Sequence, residues 1–66
     1  MKPTFGEMVK QKRIENNLTQ EEMAERFNIS QTYWSLIEGD ISKPFKLCYT
    51  ICQELGISFK YLDAMK

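Results

Sequence analysis

Helix-start signals are the feature of this sequence that most limits what it can fold into. Thr4 is followed three residues later by Glu7, and Thr19 is followed at the same spacing by Glu22. In such a capping box the threonine hydroxyl and the glutamate carboxylate accept hydrogen bonds from backbone N–H groups that a helix start leaves unpaired. Ser30 is a further N-cap residue. The chain is therefore expected to fold into several short helices.

Apolar spacing and stop signals indicate where each helix begins and ends. Asn28 tolerates a left-handed backbone and should end the second helix, Pro44 suits the start of the fourth, and Gly56 should end it. The expected helices cover about residues 5–16, 19–27, 31–38 and 45–55. A last short helix begins after Ser58 and carries Phe59, Tyr61 and Leu62.

The composition fits one small all-α domain that spans residues 1–66. Hydrophobic residues make up 42% and charged residues 27% of the chain, which is typical of globular proteins. No stretch approaches the roughly 20 apolar residues of a transmembrane helix, and the first residues lack the apolar core of a signal peptide. We therefore expect a cytoplasmic protein that does not bind membranes.

The residues that usually perform catalysis or hold a metal are sparse in this sequence. There is no histidine to act as a general base and no glycine-rich phosphate loop. Cys48 and Cys52 are four apart in a predicted helix and fit best as core thiols, with metal sharing across a dimer or redox sensing as the alternative. We expect neither an enzyme nor a bound metal, cofactor or small-molecule ligand.

Helices 2 and 3, with a tight connection, fit within about residues 19–39, which is the layout of a helix-turn-helix. Ala24 is small where the two helices must approach closely. Successive helical residues are about 100° apart, so Trp34 and Ile37 point together toward the core. The opposite side of helix 3 then carries Thr32, Ser35 and Leu36.

The outward residues of helix 3 are of the types that read bases in a major groove. Gln31 begins the helix, and its amide can pair with adenine through two hydrogen bonds. The hydroxyl groups of Thr32 and Ser35 can reach bases or phosphates. Leu36 can contact a thymine methyl group, or it can belong to a dimer surface or to a surface with no binding partner. Helix 3 is thus a candidate recognition helix for double-stranded DNA.

Nine basic and nine acidic residues give a net charge of zero. Contacts to DNA phosphates must therefore come from residues at particular places on the surface, not from an overall positive charge. The candidate phosphate contacts are Gln20, Tyr33, Lys10, Lys43 and Lys46. The start of helix 4 adds backbone N–H groups beside the last two lysines. The alternative for Tyr33 is packing at the edge of the core, and the alternative for the lysines is a solvated surface.

Several short segments occur in an order that is familiar from one family. They are Lys12-Arg13-Ile14, Leu18-Thr19-Gln20, Met23-Ala24, Ile29-Ser30-Gln31, Ile37-Glu38 and Leu55-Gly56-Ile57-Ser58. In these segments the sequence resembles the Cro and phage-repressor type of helix-turn-helix protein, the XRE family, and in particular lambdoid repressor DNA-binding domains. The resemblance covers nearly the whole chain and implies a compact five-helix, lambda-repressor-like fold that binds an operator as a two-fold dimer.

The resemblance also implies roles for single residues. Gln31 and Thr32 would read bases, and Gln20 would hold a phosphate and brace Gln31. Arg13 and Glu38 would form an internal ion pair. Arg13 is then structural rather than DNA-binding.

The sequence departs from the family after helix 3. Gly39 and Asp40 stand where the family usually has a polar residue and then glycine, and Ile41 stands where a basic residue is common. Asp40 beside DNA would repel phosphate. Leu36 replaces what is often a polar reader, so the resemblance implies no base preference for it.

The remaining expectations concern partners. One recognition helix reads only a few base pairs, so we expect a homodimer on a palindromic operator, acting as a repressor. The candidate dimer contacts are Ile41, Phe59 and Tyr61. We expect the C-terminal segment to cover Ile14. The alternative role for Phe59 is that it closes the core over Ile14 together with Leu62. The alternative function on the same fold is a protein-binding module, such as an antitoxin, which the zero net charge and the apolar Leu36 favour.

Overall fold

The computed structural model describes residues 3–60, and this part of the chain is all-helical. Its helices are α1 (Phe5–Glu15), α2 (Gln20–Arg26), α3 (Gln31–Glu38) and α4 (Phe45–Leu55). The first four predicted helices are confirmed, with small differences at their ends. The fifth stays a prediction, because Tyr61 and Leu62 lie outside the described residues. None of the described helices has the length and apolar character needed to cross a membrane.

Both predicted capping boxes are present and begin α1 and α2. The Thr4 hydroxyl accepts a hydrogen bond from the Glu7 backbone N–H at 3.2 Å, and the Glu7 carboxylate accepts one from the Thr4 N–H at 2.9 Å. Thr19 and Glu22 repeat this arrangement at 3.1 and 2.9 Å. Ser30 caps α3 with its hydroxyl. These helix starts are therefore set by residues close together in the chain.

Left-handed residues make the turns after the helices. Asn28 has a φ of 58° after α2, as predicted, and Gly56 has a φ of 69° after α4. After α3 the left-handed residue is Asp40, with a φ of 60°, whereas Gly39 has an ordinary φ of −87°. Aspartate is one of the few residues that tolerate this conformation. The left-handed conformation in the turn after α3 is therefore adopted by Asp40 and not by Gly39.

The core lies between the helices, and α2 packs mainly on α3. Its buried apolar residues are Phe5, Val9, Met23, Ala24, Trp34, Ile37, Cys48, Ile51, Cys52 and Ile57. The Trp34 ring stacks on Phe27 with centroids 5.6 Å apart. Ile14, which we expected to be covered by the C-terminal segment, is 54% exposed. Leu62, the residue expected to cover it, lies outside the described residues.

Cys48 and Cys52 are free thiols inside this core. Burial raises the pKa of Cys48 to about 11 and also raises the pKa of Cys52. Both side chains are therefore protonated at neutral pH. Because the thiolate is the form that binds metals and reacts with oxidants, the structure favours the interpretation as core thiols.

α1 and α3 approach each other very closely at Gly6. A Cβ atom at this position would lie 2.4 Å from the Glu38 carbonyl oxygen and 2.7 Å from the Ile37 carbonyl oxygen. Real Cβ atoms do not come this close to backbone atoms, so only glycine fits here. The start of α1 therefore lies directly against the end of α3.

Candidate nucleic-acid interface

α3 has one side in the core and the other toward solvent. Trp34 and Ile37 are buried, as the helical periodicity predicts, and Glu38 is buried as well. The opposite side, which we name the outer face of α3, consists of Gln31, Thr32, Ser35 and the half-buried Leu36. The last three are spaced three and four residues apart, so they lie along one side of the helix. All four predicted base readers are thus on the accessible side.

The buried carboxylate of Glu38 joins α3 to the two preceding helices. Its Oε2 accepts hydrogen bonds from Arg13 Nε at 2.6 Å and from Trp34 Nε1 at 2.5 Å. Its Oε1 accepts hydrogen bonds from Gln20 Nε2 at 3.0 Å and from Arg13 Nη2 at 3.3 Å. Arg13 Nη1 also donates to the Leu18 carbonyl oxygen at 2.9 Å. The ion pair between Arg13 and Glu38 is therefore one part of a larger polar cluster.

Opposing effects act on the pKa of Glu38. Burial raises it, because the charged form loses contact with water. The hydrogen bonds from Arg13, Gln20 and Trp34, together with the charge of Arg13, lower it, and the net pKa lies below the ordinary value of 4.5. Glu38 is thus ionised at neutral pH. Its charge is paired inside the protein and does not oppose the phosphates of a bound duplex.

Gln20 is the first residue of α2, and its side chain is half-buried. The resemblance implied that Gln20 braces Gln31, at the start of α3. Its amide donates to Glu38 instead, and no hydrogen bond joins it to Gln31 in the part of the chain that the structure describes. A charged acceptor makes the stronger hydrogen bond, which accounts for this choice. Gln20 therefore braces the end of α3, and its phosphate contact stays a prediction.

The carboxylate of Asp40 is bound at the start of α1. Its Oδ1 accepts a hydrogen bond from the Gly6 backbone N–H at 2.9 Å, and its Oδ2 accepts one from the Thr4 hydroxyl at 2.5 Å. The free N–H groups and the dipole of a helix start stabilise a negative charge there. The sequence interpretation treated Asp40 as a charge beside DNA and missed this role. The partners are 34 and 36 positions away in the chain, so no local pattern signals them.

The lysines predicted to contact phosphates are exposed, and Lys10, Lys43 and Lys46 form no salt bridge with another described residue. α4 begins after Pro44 without a side-chain cap. Its first backbone N–H groups are therefore not used by a capping side chain, and Lys43 and Lys46 flank them in the chain. Lys10 lies apart from these, on α1, and Tyr33 is half-buried near the start of α3.

Phe45, Tyr49 and Phe59 form an exposed apolar strip beside α4. Phe45 and Tyr49 are four residues apart on one side of the helix, and the rings of Tyr49 and Phe59 stack with centroids 4.7 Å apart. Their exposed fractions are 52%, 43% and 46%, and that of Ile41 is 76%. Of the predicted dimer contacts, Ile41 and Phe59 are thus at the surface, and Tyr61 lies outside the described residues. The sequence interpretation missed Phe45 and Tyr49, although their positions outside the buried stripe of α4 were a usable signal.

A domain in which a short helix, a tight turn and a second helix with an exposed polar face pack together is a helix-turn-helix domain. Such domains are typical of DNA-binding regulators rather than enzymes. A family model described as a helix-turn-helix domain matches residues 6–63, which is most of the chain. The protein therefore belongs to the helix-turn-helix domain family. A search of curated proteins and a search of solved structures each returned no match.

Proposed function

We propose that this protein is a Cro-like transcriptional repressor that binds a palindromic operator in double-stranded DNA as a dimer, with α3 in the major groove. The observation that carries this proposal is the outer face of α3, an exposed polar surface on a helix whose other side is held by the Glu38 cluster. A rigid helix that presents unpaired polar groups suits the reading of base edges.

The chemistry of the outer face supports base readout. Among the described residues, no hydrogen bond uses the side chains of Gln31, Thr32 or Ser35, although all three are polar and exposed. Their donors and acceptors are therefore available to a partner. Gln31 is at the N-terminal end of α3, which is the part of a recognition helix that meets base edges.

The proposed phosphate contacts are made by the start of α4 with Lys43 and Lys46, and by Lys10, Gln20 and Tyr33. The free N–H groups at the start of α4 carry a partial positive charge that favours a phosphate. Because the whole chain has a net charge of zero, long-range attraction to DNA is weak, and these local contacts must provide most of the affinity.

Selection of binding sites from a randomised duplex library tests the proposal directly. The best site is then titrated at several salt concentrations, with stoichiometry recorded. We expect an inverted repeat that binds two chains, with the logarithm of the affinity falling by about 0.9 per phosphate contact for each unit of log salt. If no motif is enriched even at low salt, the DNA-binding proposal is wrong.

The mutation Gln31→Ala should weaken binding to the selected operator and relax the preference at one position of each half-site. The expected loss is about 1–3 kcal/mol per contact, because the amide makes two hydrogen bonds to one base. Gln53→Ala is the matched control, since Gln53 is an exposed glutamine on α4. Equal affinities of the two variants in a fluorescence-anisotropy titration would contradict the role of Gln31.

The mutation Ile41→Asn should reduce affinity for a duplex with two half-sites while leaving affinity for a single half-site unchanged. Ile41 is 76% exposed, so the fold should tolerate asparagine, but burial of isoleucine between two protomers would stabilise the dimer. We expect at least about a tenfold loss on the full operator, which corresponds to about 1.4 kcal/mol. Equal losses on both duplexes would mean that Ile41 contacts DNA or the fold rather than a second protomer.

A protein-binding module is the second candidate, and the apolar strip of Phe45, Tyr49 and Phe59 favours it. Aromatic residues are enriched at protein interfaces, and this strip is exposed in the single chain. The mutation Gln31→Ala distinguishes the two functions, since binding of a protein partner through the strip should be insensitive to it.

A further inference from the structure

The outer face of α3 carries no positive charge. Within α3, which the structure describes in full, there is no lysine or arginine, and the carboxylate of Glu38 is buried in its hydrogen-bonded cluster. What the outer face offers is one amide from Gln31, two hydroxyls, and the apolar groups of Thr32 and Leu36. This set of groups restricts which bases the outer face can read.

Each base presents a different chemical pattern in the major groove. Guanine offers two acceptors that arginine or lysine reads best, and the cytosine amino group is read best by a carboxylate. Adenine offers a donor and an acceptor that match the amide of glutamine, and thymine offers a methyl group that matches an apolar side chain. The outer face therefore lacks the preferred readers of a G·C pair and has the preferred readers of an A·T pair.

The placement of these groups along α3 fits neighbouring base pairs. Gln31 and Leu36 are five positions apart, which is about 7.5 Å along a helix axis. That separation is larger than one base-pair step of about 3.4 Å, so the two side chains can contact different base pairs. Thr32 lies four residues before Leu36 on the same side, so its methyl group extends the apolar surface toward Gln31.

The backbone of Leu36 is held firmly for such a contact. Its carbonyl oxygen accepts hydrogen bonds from the N–H groups of Ile41 and Ser42 at 2.9 and 3.2 Å. The side chain is half-buried, so part of it is accessible to a partner. A fixed apolar group can distinguish thymine from cytosine by one methyl group, whereas a mobile one loses this selectivity to conformational entropy.

We propose that α3 reads a half-site of A·T pairs, in which Gln31 pairs with an adenine while Leu36 and Thr32 contact thymine methyl groups. This inference rests on the proposed function, since it names the DNA sequence class that the same surface recognises. It assigns Leu36 to base reading rather than to a dimer surface or to a surface with no binding partner.

Replacing single thymines by deoxyuridine in the selected operator tests the inference, because this change removes only the methyl group. For the wild-type protein we expect a loss of about fourfold at each contacted thymine, the effect of burying one such group. The Leu36→Ala variant should bind the thymine and deoxyuridine duplexes equally well at the position that Leu36 contacts. Thymines outside the half-sites serve as the control and should show no effect.

Because Leu36 is half-buried, Thr32→Ser is a second variant that removes one exposed methyl group and keeps the hydroxyl. It should lose about fourfold in affinity for each half-site and become insensitive to deoxyuridine at its own thymine. An enriched motif whose half-sites contain G·C pairs at the positions sensitive to Gln31→Ala, or wild-type binding unaffected by deoxyuridine throughout the half-site, would overturn the inference and leave DNA binding intact. The absence of any enriched motif would instead refute the proposed function itself.

Discussion

Gly6→Ala should destabilise this domain by about 3 kcal/mol or more, although alanine normally stabilises a helix interior relative to glycine by about 0.5–1 kcal/mol. The added Cβ atom would lie 2.4 and 2.7 Å from two carbonyl oxygens of α3 and 2.9 Å from Cγ of Asp40. Two of these neighbours are backbone atoms, which cannot rotate away as a flexible side chain can. α1 must therefore move away from α3.

The displacement should spread beyond the clash. Gly6 N–H donates to Asp40, so a shift of α1 weakens the contact between the start of α1 and the turn after α3. The shift also pulls Arg13, on the same helix, away from Glu38. Denaturant unfolding followed by the fluorescence of Trp34, the single tryptophan of the chain, measures the loss.

Gly39→Ala is the matched control for this experiment. Its added Cβ atom would have the Ser35 carbonyl oxygen at 3.5 Å as its nearest neighbour, and its φ of −87° suits any residue. We expect a change within about 1 kcal/mol, of either sign. If Gly6→Ala is as stable as Gly39→Ala, then α1 and α3 are not as close in solution as this structure has them.

Glu38→Ala should cost about 3–5 kcal/mol, which is the usual effect of removing one partner of a buried ion pair. The side chain of Arg13 is only 13% exposed, so its charge would be left without a partner and with little water. Trp34 Nε1 and Gln20 Nε2 would lose their acceptor as well. Since native proteins are stable by only about 5–15 kcal/mol, this loss is a large fraction of the total stability.

An exposed ion pair provides the comparison for Glu38→Ala. Glu54 lies 4.0 Å from Arg26, with side chains 53% and 49% exposed. Glu54→Ala makes the same chemical change on a helix, and we expect a loss of at most about 1 kcal/mol. Similar losses for the two variants in thermal unfolding would show that the Glu38 cluster does not stabilise the fold in the way its geometry indicates.

The same cluster makes stability depend on acid. The hydrogen bonds of Glu38 hold its pKa below the ordinary value of 4.5, so its contribution is complete above that pH and is lost as the pH falls through the lowered pKa. Glu38→Gln should lack this component and show a flatter stability profile below pH 4.5. Some dependence will remain, because hydrogen bonds from Thr19 also lower the pKa of Glu22.

Local sequence was enough to predict about where α1 to α4 begin and end and which side of α3 faces solvent. Thr4 with Glu7 and Thr19 with Glu22 interact across a single helical turn, and Trp34 with Ile37 marks the buried side by spacing alone. Each of these features depends on residues that are close in the chain. Their geometry is therefore set within the helix itself and does not depend on which other element packs against it.

The candidate recognition surface also has some features that local sequence predicts and others that it does not. The exposure of Gln31, Thr32 and Ser35 follows from the helical period, and the structure has all three at the surface. The Arg13 and Glu38 pair was available only through the family resemblance, since no local pattern joins residues 25 positions apart. Of the apolar strip, only Phe59 was named from the sequence as a surface contact. Its stacking on Tyr49 joins a segment beyond α4 to that helix, which no local pattern shows.

Only the tertiary structure decided which partners Asp40 and Gln20 bind and where the helices touch. Asp40, expected to oppose DNA, is bound at the start of α1, and Gln20, expected to brace Gln31, donates to Glu38. From the sequence alone, any small residue would fit position 6, in α1. Only the close packing of α3 against it requires glycine. In each case the free energy comes from a contact between groups distant in the chain, and no local pattern in the sequence shows which distant groups will meet.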